Sequence, residues 1–442
     1  MKEFIRTNYQ FLILCGLWVI TGALAGSAPA SALVIFSVIL LKQKNLYQIM
    51  FMGFLMILIF SDSRRSELVF AADVKVFYII LLSMFFFFDR KNFPSLSKLI
   101  FLFVPFFLVA AFLIIRSDNW LSSLQKYLSY MLMLFIIPNY FLKIYQENGN
   151  KIVKDIVFLF SLVLLAGLVS KYLFPDLATM GGRFRGIFGN PNGVGVFCTL
   201  FFLLFSVINE YFPNLFSRAE SIFVYAVILV SVIFCSSRNA IMCILIYLLF
   251  TRLYRVSPFI GFLILCIIIV GYEFVLQNFE SIIRSAGLGE YFRIKTLETG
   301  SGRNIAWTFA WENIQSNFFF GKGFGFDELL YRRYEHELSV LGHQGNAHNS
   351  YLTLWLNTGA IGLFLFLRGF LLAFIKGAKS SRIVFPVMFA VIFSANIESW
   401  LAGSLNPITF QLWIILTIIT SSEIILAKEK ESRPLVIADS PE

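Results

Sequence analysis

Apolar residues run in long blocks, at 11–27, 30–41, 46–60, 69–88, 99–115, 120–142, 152–174, 192–209, 219–235, 240–251, 258–276, 349–375, 384–401 and 407–427. A helix needs about 20 apolar residues to cross a hydrocarbon core, and many of these blocks approach that length. Block 30–41 is short and reads as half of a hairpin with its neighbour. The pattern predicts an all-α, polytopic transmembrane helical bundle of about 12 to 14 spans.

One connection is not short. Residues 277–347 form a mixed-charge segment that predicts an amphipathic helix over 303–319, with Ser301 or Gly302 as its cap. Ile305, Phe309 and Ile314 recur there at near-helical spacing, and Gly321, Gly323 and Gly325 are expected to end it. A connection of this length with its own helix is expected to be functional or a small folded cap. The chain therefore divides into an N-terminal transmembrane region at 1–175, a core at 176–427 carrying the loop 277–347, and a polar tail at 428–442. Beyond Ile425 no ordered structure is expected.

Lysine and arginine set the orientation. If the N-terminus is inside and every block crosses, the inside loops hold Lys42, Arg90, Lys143, Lys154, Arg252 and Lys376, among others, and the two ends add Lys2, Arg6 and Lys428. The short outside loops hold far fewer. Both termini are thus expected in the cytoplasm, and the loop 277–347 becomes an extracytoplasmic helical cap. Composition agrees: 58% of the residues are hydrophobic and 14% charged, which excludes an ordinary soluble domain. The net charge of +10 does not indicate nucleic acid, because the basic residues sit in short loops between apolar blocks, where they anchor against a membrane surface. Cys15, Cys198, Cys235, Cys243 and Cys266 have no zinc or redox spacing and read as small buried hydrophobes.

This orientation gathers four unusual polar clusters on the outside: 182–192, including Arg183, Arg185, Asn190 and Asn192; 236–239, with Arg238; 300–303, with Arg303; and 348–351, with His348 and Asn349. Arginine is a planar fork of donors that matches phosphate oxygens and stays charged at any working pH. Several at one membrane surface suit a pyrophosphate-linked lipid. His348 is one of three histidines, with His336 and His343. Imidazole titrates near neutral pH and suits proton transfer; the three histidines match no common metal-ligand spacing, so no metal is expected. Glu398 lies near the outer end of its block, and a carboxylate at membrane depth is a functional hypothesis by default. A transporter would place ionisable residues along several spans, whereas Lys126, Glu273 and Arg368 are scattered.

The chain resembles the O-antigen ligase and polymerase superfamily of membrane glycosyltransferases. The residues that carry the resemblance are His348-Asn349, nine residues, Gly359, two residues and Gly362, preceded by Ser301-Gly302-Arg303, Gly321-Lys322-Gly323-Phe324-Gly325, Ser237-Arg238 and Gly189-Asn190-Pro191-Asn192. It covers roughly residues 180 to 400. The resemblance implies glycan transfer from undecaprenyl pyrophosphate to an acceptor hydroxyl, on lipid A core or a growing polysaccharide, at the outer face of the bacterial inner membrane. It implies no cofactor, because the donor already carries the energy. Arg185, Arg238 and Arg303 are then expected to contact the pyrophosphate, with Asn190, Asn192 and Asn349 also binding substrate. His348 or Glu398 is expected to take the acceptor's proton. Arg183 and Arg185 do not meet the arginine, ten residues, glycine spacing of the polymerase loops, which favours a ligase over a repeat-unit polymerase.

Overall fold

The computed structural model describes residues 1–257 apart from Pro94, then 259–261, 263, 264, 267 and 303–432. Most of block 258–276, with Cys266 and Glu273, the loop residues 277–302, with the expected cap Ser301 or Gly302, and 433–442 lie outside the described residues. Among the described residues, regular structure is almost entirely helical; the exceptions are two-residue strands, Thr179–Met180 and Arg183–Phe184. Among the described residues seven helices are long and apolar enough to cross a membrane: Ser66–Phe88, Leu99–Arg116, Trp120–Asn148, Lys151–Leu173, Pro191–Tyr211, Arg218–Cys235 and Ser350–Ala378. Thr409–Thr420 and Ser422–Glu429 make an eighth if counted as one span bent by 56°. Shorter apolar helices are Tyr9–Ala25, Ser27–Gln43, Tyr47–Phe60 and Val384–Ile397. The chain is a multi-pass helical membrane protein.

Burial follows the pattern of each helix. Tyr47–Phe60 and Thr409–Thr420 are apolar on nearly every side and are buried on nearly every side, so they form the centre. Phe77, Phe87, Leu108 and Phe112 lie on outer helices and stay exposed, as suits a surface whose solvent is lipid.

Polar contacts segregate to the two ends of the bundle. At one end Lys42 pairs with Asp89, Lys154 with Glu220 at 3.2 Å and Lys428 with Glu210 at 2.8 Å. The loops at the other end carry the arginines, His348 and Glu398. The helix Ser422–Ser432 contradicts the expectation of an unstructured tail beyond Ile425. Glu423 accepts from Ser95 and Gln146, and Lys428 donates to Glu210, so bundle contacts hold its first turns.

The cap also differs from expectation. Its helix stops at Gln315 instead of reaching 319, and two further helices, Phe326–Arg333 and Glu335–Val340, were not foreseen. The early stop has a cause in the bundle. Helix Ser350–Ala378 breaks at Gly359, where φ is +69° and ψ is 178°. Such a break orphans backbone groups on both sides. Residues 318–323 satisfy them: Ala360 N–H donates to Phe318 O at 2.8 Å, and Gly323 N–H donates to Asn357 O at 2.8 Å. A Cβ at Gly359 would overlap the Phe319 carbonyl, and one at Gly321 would overlap the Asn357 backbone. Two glycine clusters far apart in sequence thus form one docking contact.

Gly359→Ala should therefore undock the cap from the bundle. Left-handed strain costs about 1–3 kcal/mol, and the overlap with Phe319 adds to it. Hydrogen exchange should speed up at the Lys322 and Gly323 amides, while Gly16→Ala, at a helical site with no neighbour within 4 Å, leaves them unchanged. Unaltered protection in Gly359→Ala would contradict the docking account.

Candidate functional site

The polar clusters found in the sequence share a structural origin: they lie at helix N-termini. Asn190 caps Pro191–Tyr211, accepting from Gly193 N–H at 2.7 Å. Ser237 caps Arg238–Val256, and Asn349 caps Ser350–Ala378, accepting from Tyr351 and Leu352 N–H groups. Arg303 opens Arg303–Gln315. Short polar side chains at these positions satisfy backbone donors that the helix cannot. A helix N-terminus also carries partial positive charge and favours anions.

Three of these starts meet at Glu398, which follows helix Val384–Ile397 in extended conformation. Arg303 Nη2 donates to Glu398 Oε1 at 2.8 Å, and Asn192 Nδ2 donates to the same oxygen at 3.3 Å. His348 Nδ1 lies 3.0 Å from Oε2. A carboxylate can only accept, so Nδ1 carries the proton in that bond. The side chains of Glu398, Arg303 and His348 are 13%, 22% and 29% exposed, which leaves them within reach of a substrate. The backbone around Glu398 is held as well. Ser350 Oγ donates to Glu398 O at 2.6 Å, and Asn349 N–H donates to Ser399 Oγ at 2.9 Å.

His348 itself has φ of +47°. Such a conformation is uncommon outside glycine and is retained where the surroundings enforce it. Here Asn346 Oδ1 accepts from His348 N–H at 2.9 Å, Asn349 begins the next helix, and Trp307 Nε1–H donates to Ala347 O at 2.9 Å. The cap helix is thereby tied to the residue before His348.

Beside Glu398 is a cavity of about 100 Å3 lined by Arg183, Asn192, Ser237, Arg238, Asn239, Arg303 and Glu398. Three guanidiniums face one carboxylate, and the helix starts add to the positive field. The chemistry is that of an anion site with room for more than one phosphate-like contact.

Arg183 is the arginine of the first cluster that lines this cavity. Gly181 and Gly182 both have positive φ, as a two-residue hairpin turn requires, and the returning strand pairs Arg183 with Met180. Arg183 then donates to Asn192 Oδ1 and Cys235 O, each at 2.9 Å. The strand ends at Phe184. Arg185 therefore lies elsewhere, donating to Leu177 O at 3.3 Å beside Arg65. Burial first, and then the Arg185 charge, pull the Arg65 guanidinium below its ordinary value.

Of the residues expected from sequence, Arg238, Arg303, Asn192, Glu398 and His348 come together. Arg185 does not, and Asn190 and Asn349 are engaged as helix caps. Arg183 lies outside the expected set; the Gly181-Gly182 hairpin signal distinguishes it from Arg185. Asn239 and Ser237 were likewise seen only as neighbours of Arg238. Among the described residues no group of three or more His, Cys, Asp or Glu is arranged to hold a metal.

Residues 216–367 match the family model described as O-antigen ligase, which supports the O-antigen ligase superfamily. The matched stretch contains Arg238, Arg303 and His348, while Arg183, Asn192 and Glu398 lie outside it. No curated protein matches the chain.

The cavity should bind inorganic pyrophosphate, and the two neighbouring arginines should behave differently. A hydrogen bond to a charged group contributes about 1.5–3 kcal/mol, so Arg183→Ala should weaken pyrophosphate binding roughly tenfold or more by calorimetry. Arg185→Ala should leave it unchanged. The reverse order would place the anion at the outer arginine pair.

Proposed function

We propose, from the membership of the O-antigen ligase superfamily that residues 216–367 support, that this protein transfers a glycan from undecaprenyl pyrophosphate to an acceptor glycan hydroxyl. The coarser statement, a membrane protein of O-antigen ligase or polymerase type, rests on that match and on the apolar helices. The finer reading rests on one observation above the others: Glu398 joins an arginine of the anion cavity to His348.

In this reading the donor diphosphate sits among Arg183, Arg238 and Arg303. The acceptor oxygen attacks the anomeric carbon of the donor sugar as the bond from that carbon to the diphosphate oxygen breaks. The leaving diphosphate gains negative charge, which the guanidiniums and helix starts stabilise in place, a contribution that is often the largest in catalysis. The proton of the acceptor hydroxyl passes to Nε2 of His348, the ring nitrogen not engaged by Glu398. Glu398 holds the ring and stabilises the imidazolium that forms. Glu398 already accepts from three donors, which favours His348 as the base. The lipid carrier requires a membrane, and the lysine and arginine asymmetry supports a reacting face on the extracytoplasmic side of the bacterial inner membrane. Ligase transfer to lipid A core is favoured over repeat-unit polymerisation by the unmatched polymerase spacing in the arginine cluster.

A general base typically contributes about 100- to 10,000-fold in rate. His348→Gln should therefore abolish detectable transfer, while Glu398→Gln, whose amide oxygen can still accept from Nδ1, leaves a measurable remainder. Arg303→Lys should be nearly as damaging as Arg303→Ala, since lysine lacks the fork. The assay uses purified protein, lipid-linked glycan and acceptor, with a chelator present. Full transfer by His348→Gln with none by Glu398→Gln would make the carboxylate the base.

A further inference from the structure

A second cavity, of about 110 Å3, has Ser399, the residue after Glu398, in its wall. It is lined by Lys126, Phe324, Asp327, Asn346, Ser399 and Ser404, among others. The two cavities have consecutive residues in their walls. Glu398 lines the first, the adjacent Ser399 lines the second, and His348 bonds both Glu398 and Asn346. His348 thus bridges the walls of the two spaces.

Their chemistry differs. The first presents three arginines; among the described residues no arginine lines the second. The second instead mixes hydroxyls, amides and both signs of charge around the Phe324 ring. Lys126 pairs with Glu328, and Asp327 exchanges two hydrogen bonds with Asn357, one from Asn357 Nδ2 at 2.9 Å and one from its own N–H at 3.1 Å. Burial, and secondarily the Glu328 charge, push the Asp327 carboxyl up to about 6. A surface with closely spaced donors and acceptors and an aromatic wall suits a neutral polyol and not a diphosphate. Both cavities are well below the roughly 300–1,000 Å3 that encloses a drug-sized ligand. Each would therefore hold only the reacting end of a long substrate.

We propose that this second cavity seats a pyranose, the acceptor sugar, with Lys126, Asn346, Ser399 and Ser404 reading its hydroxyls. The assignment of that sugar as acceptor rests on the transfer reading above. Lys126 comes from helix Trp120–Asn148, outside the stretch that matches the ligase family. Acceptor choice would then be set in part by the N-terminal region, while the matched domain supplies His348 and two of the three arginines.

Methyl glycosides of glucose, galactose and N-acetylglucosamine can be titrated onto the purified full-length protein by saturation-transfer NMR. Undecaprenyl pyrophosphate binding is measured on the same samples. At least one glycoside should bind, and Lys126→Ala and Ser404→Phe should each weaken it about tenfold, the loss of one charged hydrogen bond or of space. Retained undecaprenyl pyrophosphate affinity in both variants shows that they are folded. Absence of glycoside binding to the unaltered protein, indifference to both substitutions, or loss of binding in Arg303→Ala alone would overturn the proposal. Failure of undecaprenyl pyrophosphate to bind the unaltered protein is a separate result and overturns the donor assignment.

Discussion

A carboxylate at the end of an apolar helix is costly unless its oxygens are paired. Glu398 meets that constraint by accepting from Arg303, Asn192 and His348, residues carried by three different segments. Each partner is positioned by its own helix start. The cap, the helix after Asn190 and the helix after Asn349 must therefore all be in place before Glu398 is satisfied. Removal of any one leaves a partly buried polar group short of a partner, and this end of the bundle is coupled to that one side chain.

The same economy explains the glycines. Gly359 breaks a long helix so that residues 318–323 can occupy the gap, and Gly321 keeps the approaching chain narrow enough to enter. The docked segment then leads into the helix Phe326–Arg333, whose Asp327 bonds back to Asn357 just before the break. His348 lies at the other end of that broken helix, one residue before its cap. The glycine spacing after His348 thus measures the distance from the histidine to the point where the cap is fastened.

Much of this was legible in the sequence, for identifiable reasons. Apolar block length predicted the helices, since crossing a hydrocarbon core leaves little freedom in length. Arg238, Arg303, His348 and Glu398, which the structure brings together, stand out in the sequence because charged and capping residues beside apolar blocks are conspicuous. What was not legible depended on contacts distant in sequence. The end of the cap helix at Gln315 is set by a gap in another helix, and helix Phe326–Arg333 gains its place from Asn357. The choice between Arg183 and Arg185 turned on a two-glycine hairpin only two residues per strand long. Asn190 and Asn349 looked like ligands because capping and substrate binding use the same short polar side chains. The helix beyond Ile425 depends on Glu210, Ser95 and Gln146, none of them near it in the chain.

The central claim is that the carboxylate junction organises an anion site for a lipid diphosphate. The most direct measurement is a cryo-electron microscopy structure of the protein with undecaprenyl pyrophosphate bound in nanodiscs. The account predicts diphosphate density between Arg183, Arg238 and Arg303, with Glu398 still bonded to Nδ1 of His348. Density at Arg65 and Arg185 instead, with the inner cavity unchanged, would contradict it.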